Sequence, residues 1–145
     1  MHSIFLTTLI VVFETLFKEK REQNKQEKEY LNGRVHIMTY HNYGAFLNSG
    51  EKNPLAVKLV SVLLTLAMSV VFILTFTKYG NRGLRVGLSF LLGGAFSNTY
   101  DRIKRGYVVD YLNFPKLPGK IKNVVFNFSD FCILIGSCII LIKQK

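Results

Sequence analysis

The feature that most constrains this chain is an apolar block from Leu55 to Phe76, in which Lys58 is the only charged residue. At about 1.5 Å per residue, a helix of this length crosses a hydrocarbon core of about 30 Å. The whole chain is 49% hydrophobic, yet it carries a formal net charge of +10. Long uncharged blocks separated by charged connections are typical of an integral membrane protein rather than a soluble domain.

Three further apolar segments extend this pattern. Val86 to Tyr100 is uncharged, Met1 to Phe17 contains only Glu14 as a charged side chain, and Val124 to Ile142 contains only Asp130. We therefore predict an all-α integral membrane protein, a single membrane-embedded domain over residues 1–145, with four transmembrane helices at about residues 1–17, 55–77, 84–100 and 124–142.

The first segment could instead be a signal peptide. No basic region precedes its apolar residues, and KEKREQNKQEKE follows it instead of a small-residue cleavage site. A retained helix is therefore expected. Residues 18–29 mix acidic and basic side chains, which favours either a solvated helical extension or a juxtamembrane linker.

A short segment between the first two helices has the pattern of a β-hairpin. Asn32-Gly33 is a strong signal for a two-residue turn, and the residues from Val35 to Tyr40 then alternate as in a strand. We predict a small β-element over about residues 30–50 on the membrane surface, because hydrocarbon would not tolerate its open edges. GYVVDYLNF, later in the chain, also looks extended, and Pro54 suits the start of the second helix.

Glycines mark a packing face on the third helix. Gly83, Gly87 and Gly94 recur on one side of it, and small residues at this spacing predict the close approach of another helix. Cys132 and Cys138 lie six residues apart in the last apolar segment, too far along a helix axis for a disulfide. The histidines are scattered, and no Cys/His cluster has metal-ligand spacing.

The chain has only three aspartates, Asp101, Asp110 and Asp130, all in its last third. If the third and fourth helices are antiparallel neighbours, the three carboxylates gather at one membrane face. Two adjacent carboxylates can share a proton because both cannot ionise cheaply, and such a pair activates water in aspartic proteases. Alternatively, each aspartate caps a helix or pairs with a cation; for Asp101, which precedes Arg102, we expect this structural role.

Amide and guanidinium side chains accompany the aspartates. Asn98 and Arg102 share a face at the end of the third helix, and Asn127 shares one with Asp130 at the start of the fourth. Such donors can hold the geometry of a carboxylate pair and bind a substrate carbonyl. Polar groups in a membrane protein are candidates for a functional site.

These segments match a known family. The chain resembles the lipoprotein signal peptidase (signal peptidase II) family over two segments, LLGGAFSNTYDRIKRGYVVDYLNF and VVFNFSDFCILIG. Members of this family are bacterial integral-membrane aspartic proteases, and their pattern is GGAxGNxxDRxxxGxVVDF followed by FNxAD. The matched polar residues are Asn98, Asp101, Arg102, Asp110, Asn127 and Asp130. Upstream, HNYGAFLN resembles NxGAAF through Asn42 and Gly44, and ETLFK more loosely resembles DQxxK through Glu14 and Lys18.

The resemblance implies a four-helix membrane bundle with an extracytoplasmic β-element. The implied activity is that of an aspartic endopeptidase, which removes the signal peptide of a prolipoprotein by cleaving before a diacylglyceryl-modified cysteine. Asp110 and Asp130 are the implied catalytic pair. The implied substrate-binding and dyad-supporting residues are Asn42, Gly44, Asn98, Arg102 and Asn127, with Asp101 structural. The implied partners are lipid-modified prolipoproteins and membrane lipids, with no metal, cofactor or nucleic acid.

Four positions depart from the family pattern. Glu14 stands in place of Asp, Ser97 in place of Gly, and Phe46 and Ser129 in place of Ala. Tyr111 supplies the aromatic residue that ends the first motif. The two aspartates expected to be catalytic are intact, so the departures bear on rate, substrate specificity or lipid fit.

The distribution of basic residues conflicts with the implied orientation. The family places both termini in the cytoplasm and its active site at the extracytoplasmic face of the bacterial cytoplasmic membrane. Most of the Lys and Arg residues lie in segments 18–54 and 101–122, which would then be outside the cell. The positive-inside rule favours the opposite orientation, with these segments in the cytoplasm. We follow the motif and expect the excess basic residues to contact anionic headgroups.

Two other classes of function stay open from the sequence. One is a non-catalytic membrane protein of the same scaffold that binds lipidated preproteins; the intact aspartate pair disfavours it. The other is a small ion or proton translocator, which needs acidic residues deep within the helices. The sequence places its acidic residues at the ends of the predicted helices instead.

Overall fold

The computed structural model describes residues 2–45, 49–77 and 82–143, and within them it contains four α-helices and a four-stranded sheet. The helices are α1 (His2–Gln23), α2 (Pro54–Leu74), α3 (Arg82–Lys104) and α4 (Phe128–Lys143). The strands are β1 (Lys28–Tyr30), β2 (Val35–Asn42), β3 (Val108–Asn113) and β4 (Val125–Phe126), and a short 3-10 helix (Gly119–Asn123) precedes β4. The predicted helix count and the presence of a β-element are confirmed.

Helix α3 lies at the centre of the bundle and packs against α1, α2 and α4. Its glycines let the backbone of α4 approach closely. A Cβ atom on Gly94 would lie 2.3 Å from the carbonyl oxygen of Ser129, and one on Gly87 would lie 3.0 Å from that of Gly136. The predicted packing role of the small-residue face is confirmed, and Gly136 supplies the matching small residue on α4.

Helix α2 begins at Pro54, as predicted, and Asn53 caps it by accepting a hydrogen bond from the backbone nitrogen of Ala56 at 3.2 Å. By length and hydropathy, α2 is the one helix among the described residues that qualifies to cross a membrane. Its outward side chains are large and apolar; Leu63, for example, is 64% exposed. Apolar surface of this kind is suited to contact with hydrocarbon.

The strands run antiparallel in the order β1-β2-β3-β4. The predicted hairpin is confirmed, since β1 and β2 pair as neighbours, but its turn has four residues, 31–34, rather than the predicted two. Leu31, Asn32 and Gly33 all have positive φ there. The sheet differs from the predicted element because its other half comes from the connection between α3 and α4. Residues 46–48, which include Phe46, lie outside the described residues.

Two helix boundaries differ from the prediction. Helix α4 begins at Phe128 rather than at residue 124, because Val125 and Phe126 pair with β3 and complete the sheet. Helix α1 continues to Gln23, so the helical interpretation of the charged stretch after residue 17 holds for its first part. The expectation that this stretch is solvated is wrong for Lys18, whose side chain is fully buried between carboxylates.

Candidate active site

Strand β3 and helix α4 bring the two predicted catalytic aspartates to one end of the bundle. Asp110 lies in the middle of β3, where it is 1% exposed, and Asp130 lies in the first turn of α4. Strand β3 packs against α1 and α3 as well as β2. Because side chains alternate along a strand, Asp110 and the adjacent Tyr111 face opposite sides of the sheet.

Asn127 contacts both aspartates. Its side-chain nitrogen donates to Oδ1 of Asp110 at 2.6 Å, and its backbone nitrogen donates to Oδ2 of Asp130 at 3.0 Å. Its Oδ1 accepts from the backbone nitrogen of Asp130 at 3.0 Å, so the two residues form a reciprocal cap of α4. The capping role that the sequence left open for Asp130 is therefore present, and the same cap brings this carboxylate to a residue that also binds Asp110.

Asn98 extends this network from α3. Its side-chain nitrogen donates to Oδ1 of Asp130 at 3.0 Å. Its oxygen accepts from Nζ of Lys18 at 2.8 Å and from the amide of Asn127 at 3.2 Å. An ammonium group can only donate, so Lys18 fixes which end of the Asn98 amide faces Asp130.

Asn42 holds the other side of Asp110. At the end of β2, its side-chain nitrogen donates to Oδ2 of Asp110 at 2.9 Å, while its oxygen accepts from the backbone nitrogen of Gly44 at 3.0 Å. Arg102 donates to the carbonyl oxygen of Gly44 at 2.7 Å and to that of Asn98 at 3.5 Å. All five predicted supporting residues therefore lie in the network that surrounds the two carboxylates.

Asp101 lies in an ion-pair cluster beside this network. Its Oδ2 lies 3.2 Å from Nζ of Lys18 and accepts from the backbone nitrogen of Val109 at 3.2 Å, and its Oδ1 accepts from Arg105. The adjacent Arg102 was the expected cation, but Arg105 pairs with Asp101 instead, because residues four apart lie on the same face of a helix. These contacts tie the end of α3 to the start of β3, which suits a structural residue.

Three of the four sequence departures, Glu14, Ser97 and Ser129, lie in the same buried region. Glu14 accepts from the hydroxyl of Tyr111, from Oγ of Ser129 at 2.7 Å and from the backbone nitrogen of Ser129 at 3.1 Å. Ser97 accepts from Lys18 at 3.1 Å. Glu14 and Lys18 were only weakly matched from the sequence. The signal for them is an acidic residue within the apolar part of α1 that is followed four residues later by a basic one.

The surroundings of Asp110 favour a bound proton. Burial, followed by the negative charge of Asp130, raises the pKa of Asp110 to about 7, although hydrogen bonds from Asn42 and Asn127 oppose the shift. Burial and the charge of Glu14 raise the pKa of Tyr111 well above its ordinary range, so its hydroxyl remains a donor.

A carboxyl group that titrates near neutral pH beside a second carboxylate can act as an acid and a base in turn. Within residues 2–45, 49–77 and 82–143, no group of three or more His, Cys, Asp and Glu side chains is placed to hold a metal ion. The hydrogen bonds from Asn42, Asn98 and Asn127 give the arrangement of a carboxylate pair supported by amide donors.

Several curated proteins resemble this chain over much of its length. The lipoprotein signal peptidase of Moorella thermoacetica is 30% identical over 144 residues, which cover 97% of this chain and 90% of that protein. The lipoprotein signal peptidase of Alteromonas mediterranea is 35% identical over 110 residues, which cover 72% of this chain. The chain spans 57% of the Alteromonas protein and 52% of the corresponding protein of Caldanaerobacter subterraneus, or about half the length of these relatives.

The fold also matches solved structures. A structure described as a bacterial membrane enzyme superimposes with a TM-score of 0.84 at 22% identity, covering 99% of this chain and 87% of that chain. A second one with the same description has a TM-score of 0.79 at 23% identity. The family model described as Signal peptidase (SPase) II matches residues 6–144, so the predicted family is confirmed and this chain belongs to the signal peptidase II family.

Proposed function

We propose that this protein is a membrane aspartic endopeptidase that removes the signal peptide from diacylglyceryl-modified prolipoproteins, cutting before the lipidated cysteine. The observation that carries the proposal is the contact of Asn127 with both Asp110 and Asp130. The names of the relatives support the same substrate class, since each is a lipoprotein signal peptidase.

In the proposed mechanism the two carboxyl groups hold one proton between them. The ionised member removes a proton from water, which attacks the scissile carbonyl, and the protonated member hydrogen-bonds to that carbonyl and later supplies a proton to the leaving amine. Asn42 and Asn127 hold Asp110, and Asn98 holds Asp130, so both oxygens of each carboxylate have defined directions. Preorganised donors of this kind spare the enzyme reorganisation during the reaction.

Arg102 and Gly44 are proposed to position the substrate chain beside the two aspartates. The Arg102 guanidinium holds the carbonyl of Gly44 at the end of β2, which borders the site. The apolar outer surfaces of the helices suit a substrate that arrives laterally through the bilayer with its lipid chains and apolar signal segment. Membrane lipids are the proposed surroundings of these surfaces.

We also propose that the sheet and the two aspartates face the extracytoplasmic side of the bacterial membrane and that both termini are cytoplasmic. Part of the basic charge that argued against this orientation is paired within the protein. Lys18 contacts Glu14 and Asp101, and Glu19 pairs with Lys104 at 3.2 Å and Arg105 at 2.6 Å.

Single cysteines test the orientation after Cys132 and Cys138 are replaced by Ala. A cysteine at exposed Lys120, on the sheet side, should react with an impermeant maleimide added to intact cells. A cysteine at Thr77, just after α2, should react only after the membrane is opened. The reverse pattern of labelling would overturn the proposed orientation.

The activity is tested with Asp110→Asn and Asp130→Asn in cells that depend on this copy of the enzyme. Each variant should accumulate the diacylglyceryl-modified, unprocessed precursor. Glu29→Gln, which alters an exposed carboxylate in β1, is the matched control and should process normally. Normal processing by both aspartate variants, with the protein present in the membrane, would favour the non-catalytic binding protein instead.

A further inference from the structure

The start of α4 is held by side chains from three different parts of the chain. The backbone nitrogen of Phe128 donates to the hydroxyl oxygen of Tyr111 at 3.1 Å, and that of Ser129 donates to Oε2 of Glu14 at 3.1 Å. The next nitrogen, that of Asp130, donates to Asn127 at 3.0 Å. A helix N-terminus commonly has one capping side chain, whereas here three successive N–H groups are each satisfied by a different one.

Glu14 is the centre of this arrangement. It lies on α1, is fully buried, and uses one carboxylate oxygen for the Tyr111 hydroxyl and the other for the backbone nitrogen and hydroxyl of Ser129. Because the Tyr111 oxygen accepts from Phe128, its own proton is free to go to Glu14. The carboxylate also lies at the positive end of the α4 dipole, where negative charge is stabilised.

Besides its ion pair with Lys18, Glu14 accepts hydrogen bonds from two residues, Tyr111 and Ser129, which are the chain neighbours of the two aspartates. Tyr111 follows Asp110 in β3, and Ser129 precedes Asp130 in α4. A displacement of Glu14 therefore moves the start of α4 relative to β3, and with it one carboxylate relative to the other. No atom of Glu14 needs to touch a substrate for this effect.

Glu14 and Ser129 are also places where the chain departs from the family pattern of Asp and Ala, and Tyr111, which fills the aromatic position, carries a hydroxyl that the Phe of the pattern lacks. Asp at position 14 would be shorter by one methylene, about 1.5 Å, and would not reach both partners from the same backbone. Phe at position 111 and Ala at position 129 would lack the hydroxyl groups that donate to Glu14. The longer carboxylate of Glu14 and the hydroxyl groups of Tyr111 and Ser129 therefore fit one another in the structure.

We propose that Glu14, Tyr111 and Ser129 form one positioning unit, which sets the placement of Asp130 relative to Asp110 and functions as a matched set. The proposal rests on the proposed catalytic function of those two aspartates. It assigns to three residues a single role that none of them could fill alone.

The test compares Glu14→Asp, Tyr111→Phe, Ser129→Ala and the triple variant in purified form, with a diacylglyceryl-modified precursor as substrate. Each single change should lower kcat by about tenfold or more with little change in KM, because a misplacement of about 1 Å in an active site lowers a rate by up to about a hundredfold. Each should also move the alkaline limb of the pH profile of kcat/KM by about half a pH unit or more, as the spacing of the carboxyl groups changes. If the three single effects on kcat were independent, the kcat of the triple variant would be the wild-type value lowered by all three factors multiplied together. We expect the triple variant to have a kcat at least about tenfold higher than that value.

Ser137→Ala and Tyr30→Phe are the matched controls. Ser137 lies on α4 and bonds only to its own helix backbone, and Tyr30 is exposed in β1, so both variants should retain the wild-type kcat and pH profile. The amount of folded protein is measured by size-exclusion chromatography and each kcat is divided by it, so that misfolding does not count as lost positioning.

The outcomes separate this inference from the proposed function. Single effects that multiply in the triple variant, or an unmoved pH profile in all three single variants, would overturn the positioning unit while Asp110→Asn remains inactive. An active Asp110→Asn enzyme would instead overturn the proposed function.

Discussion

Gly94→Ala offers a direct test of how closely α3 must approach the start of α4. The added Cβ would lie 2.3 Å from the carbonyl oxygen of Ser129, whereas Cβ contacts under 3.0 Å are essentially never seen, so the two atoms must separate by at least 0.7 Å. The obstructing atom is backbone, which cannot rotate away as a side chain can. The start of α4 must therefore move relative to α3.

The displacement falls on the proposed catalytic pair, because Asp130 follows Ser129. If α4 moves away by that amount, the bond of 3.0 Å from Asn98 to Asp130 lengthens by up to 0.7 Å, which weakens or breaks it. We expect kcat to fall by about a hundredfold, the scale expected for a misplacement of about 1 Å in an active site. Overpacking should also lower the free energy of unfolding by roughly 1–3 kcal/mol.

Gly83→Ala is the matched control. Its added Cβ would meet side-chain carbons of Lys143, the nearest at 2.8 Å, at the end of α4 far from Asp130, and this side chain can rotate away. Only Gly94→Ala should lose stability in a thermal unfolding assay in detergent and lose kcat per folded molecule on a diacylglyceryl-modified precursor. Equal kcat values for Gly94→Ala and the wild type would show that this close contact does not position Asp130.

Two further predictions follow from the same contacts. Asn42→Ala removes a donor that favours ionised Asp110, so the pKa of about 7 should rise further. The alkaline limb of kcat/KM should then move to higher pH by up to about one unit, and a shift to lower pH would contradict the assignment. Gly136→Ala would place a Cβ 2.5 Å from both the Gly87 oxygen and the Leu91 nitrogen, so the melting temperature should fall. Its position about 9 Å along α4 from Asp130 should leave the pH profile of the folded fraction unchanged, which distinguishes it from Gly94→Ala.

The sequence was most informative where one strong local signal acted alone. The apolar blocks predicted the helices, Asn32-Gly33 predicted the hairpin, and the spacing of the glycines on α3 predicted its close contact with α4. The joining of the sheet was not predictable in the same way. Val125 and Phe126 are apolar enough to continue a helix, and only their pairing with β3 makes them a strand.

The network around the site was only partly predictable for a similar reason. Motif spacing singled out the aspartates and asparagines, but it offered the adjacent Arg102 as the cation for Asp101, and it treated Ser129 as an isolated departure and Tyr111 as an ordinary aromatic match. Their common partner, Glu14, lies about a hundred residues away along the chain, and such a contact depends on how α1 packs against α3 and β3.

The charge of the site gives a physical reason for the single shared proton. Four carboxyl groups and three cations lie in and beside the site, namely Glu14, Asp101, Asp110, Asp130, Lys18, Arg102 and Arg105. At the edge of this set, Glu19 and Lys104 pair with each other and add no net charge. Fully ionised, this set carries one net negative charge, and burying an unbalanced charge is costly. One proton on the aspartate pair makes the set neutral, and burial and the neighbouring carboxylate raise the pKa of Asp110, which favours that state. The ion pairs that fix the helix ends therefore also favour the one-proton state that the proposed chemistry requires.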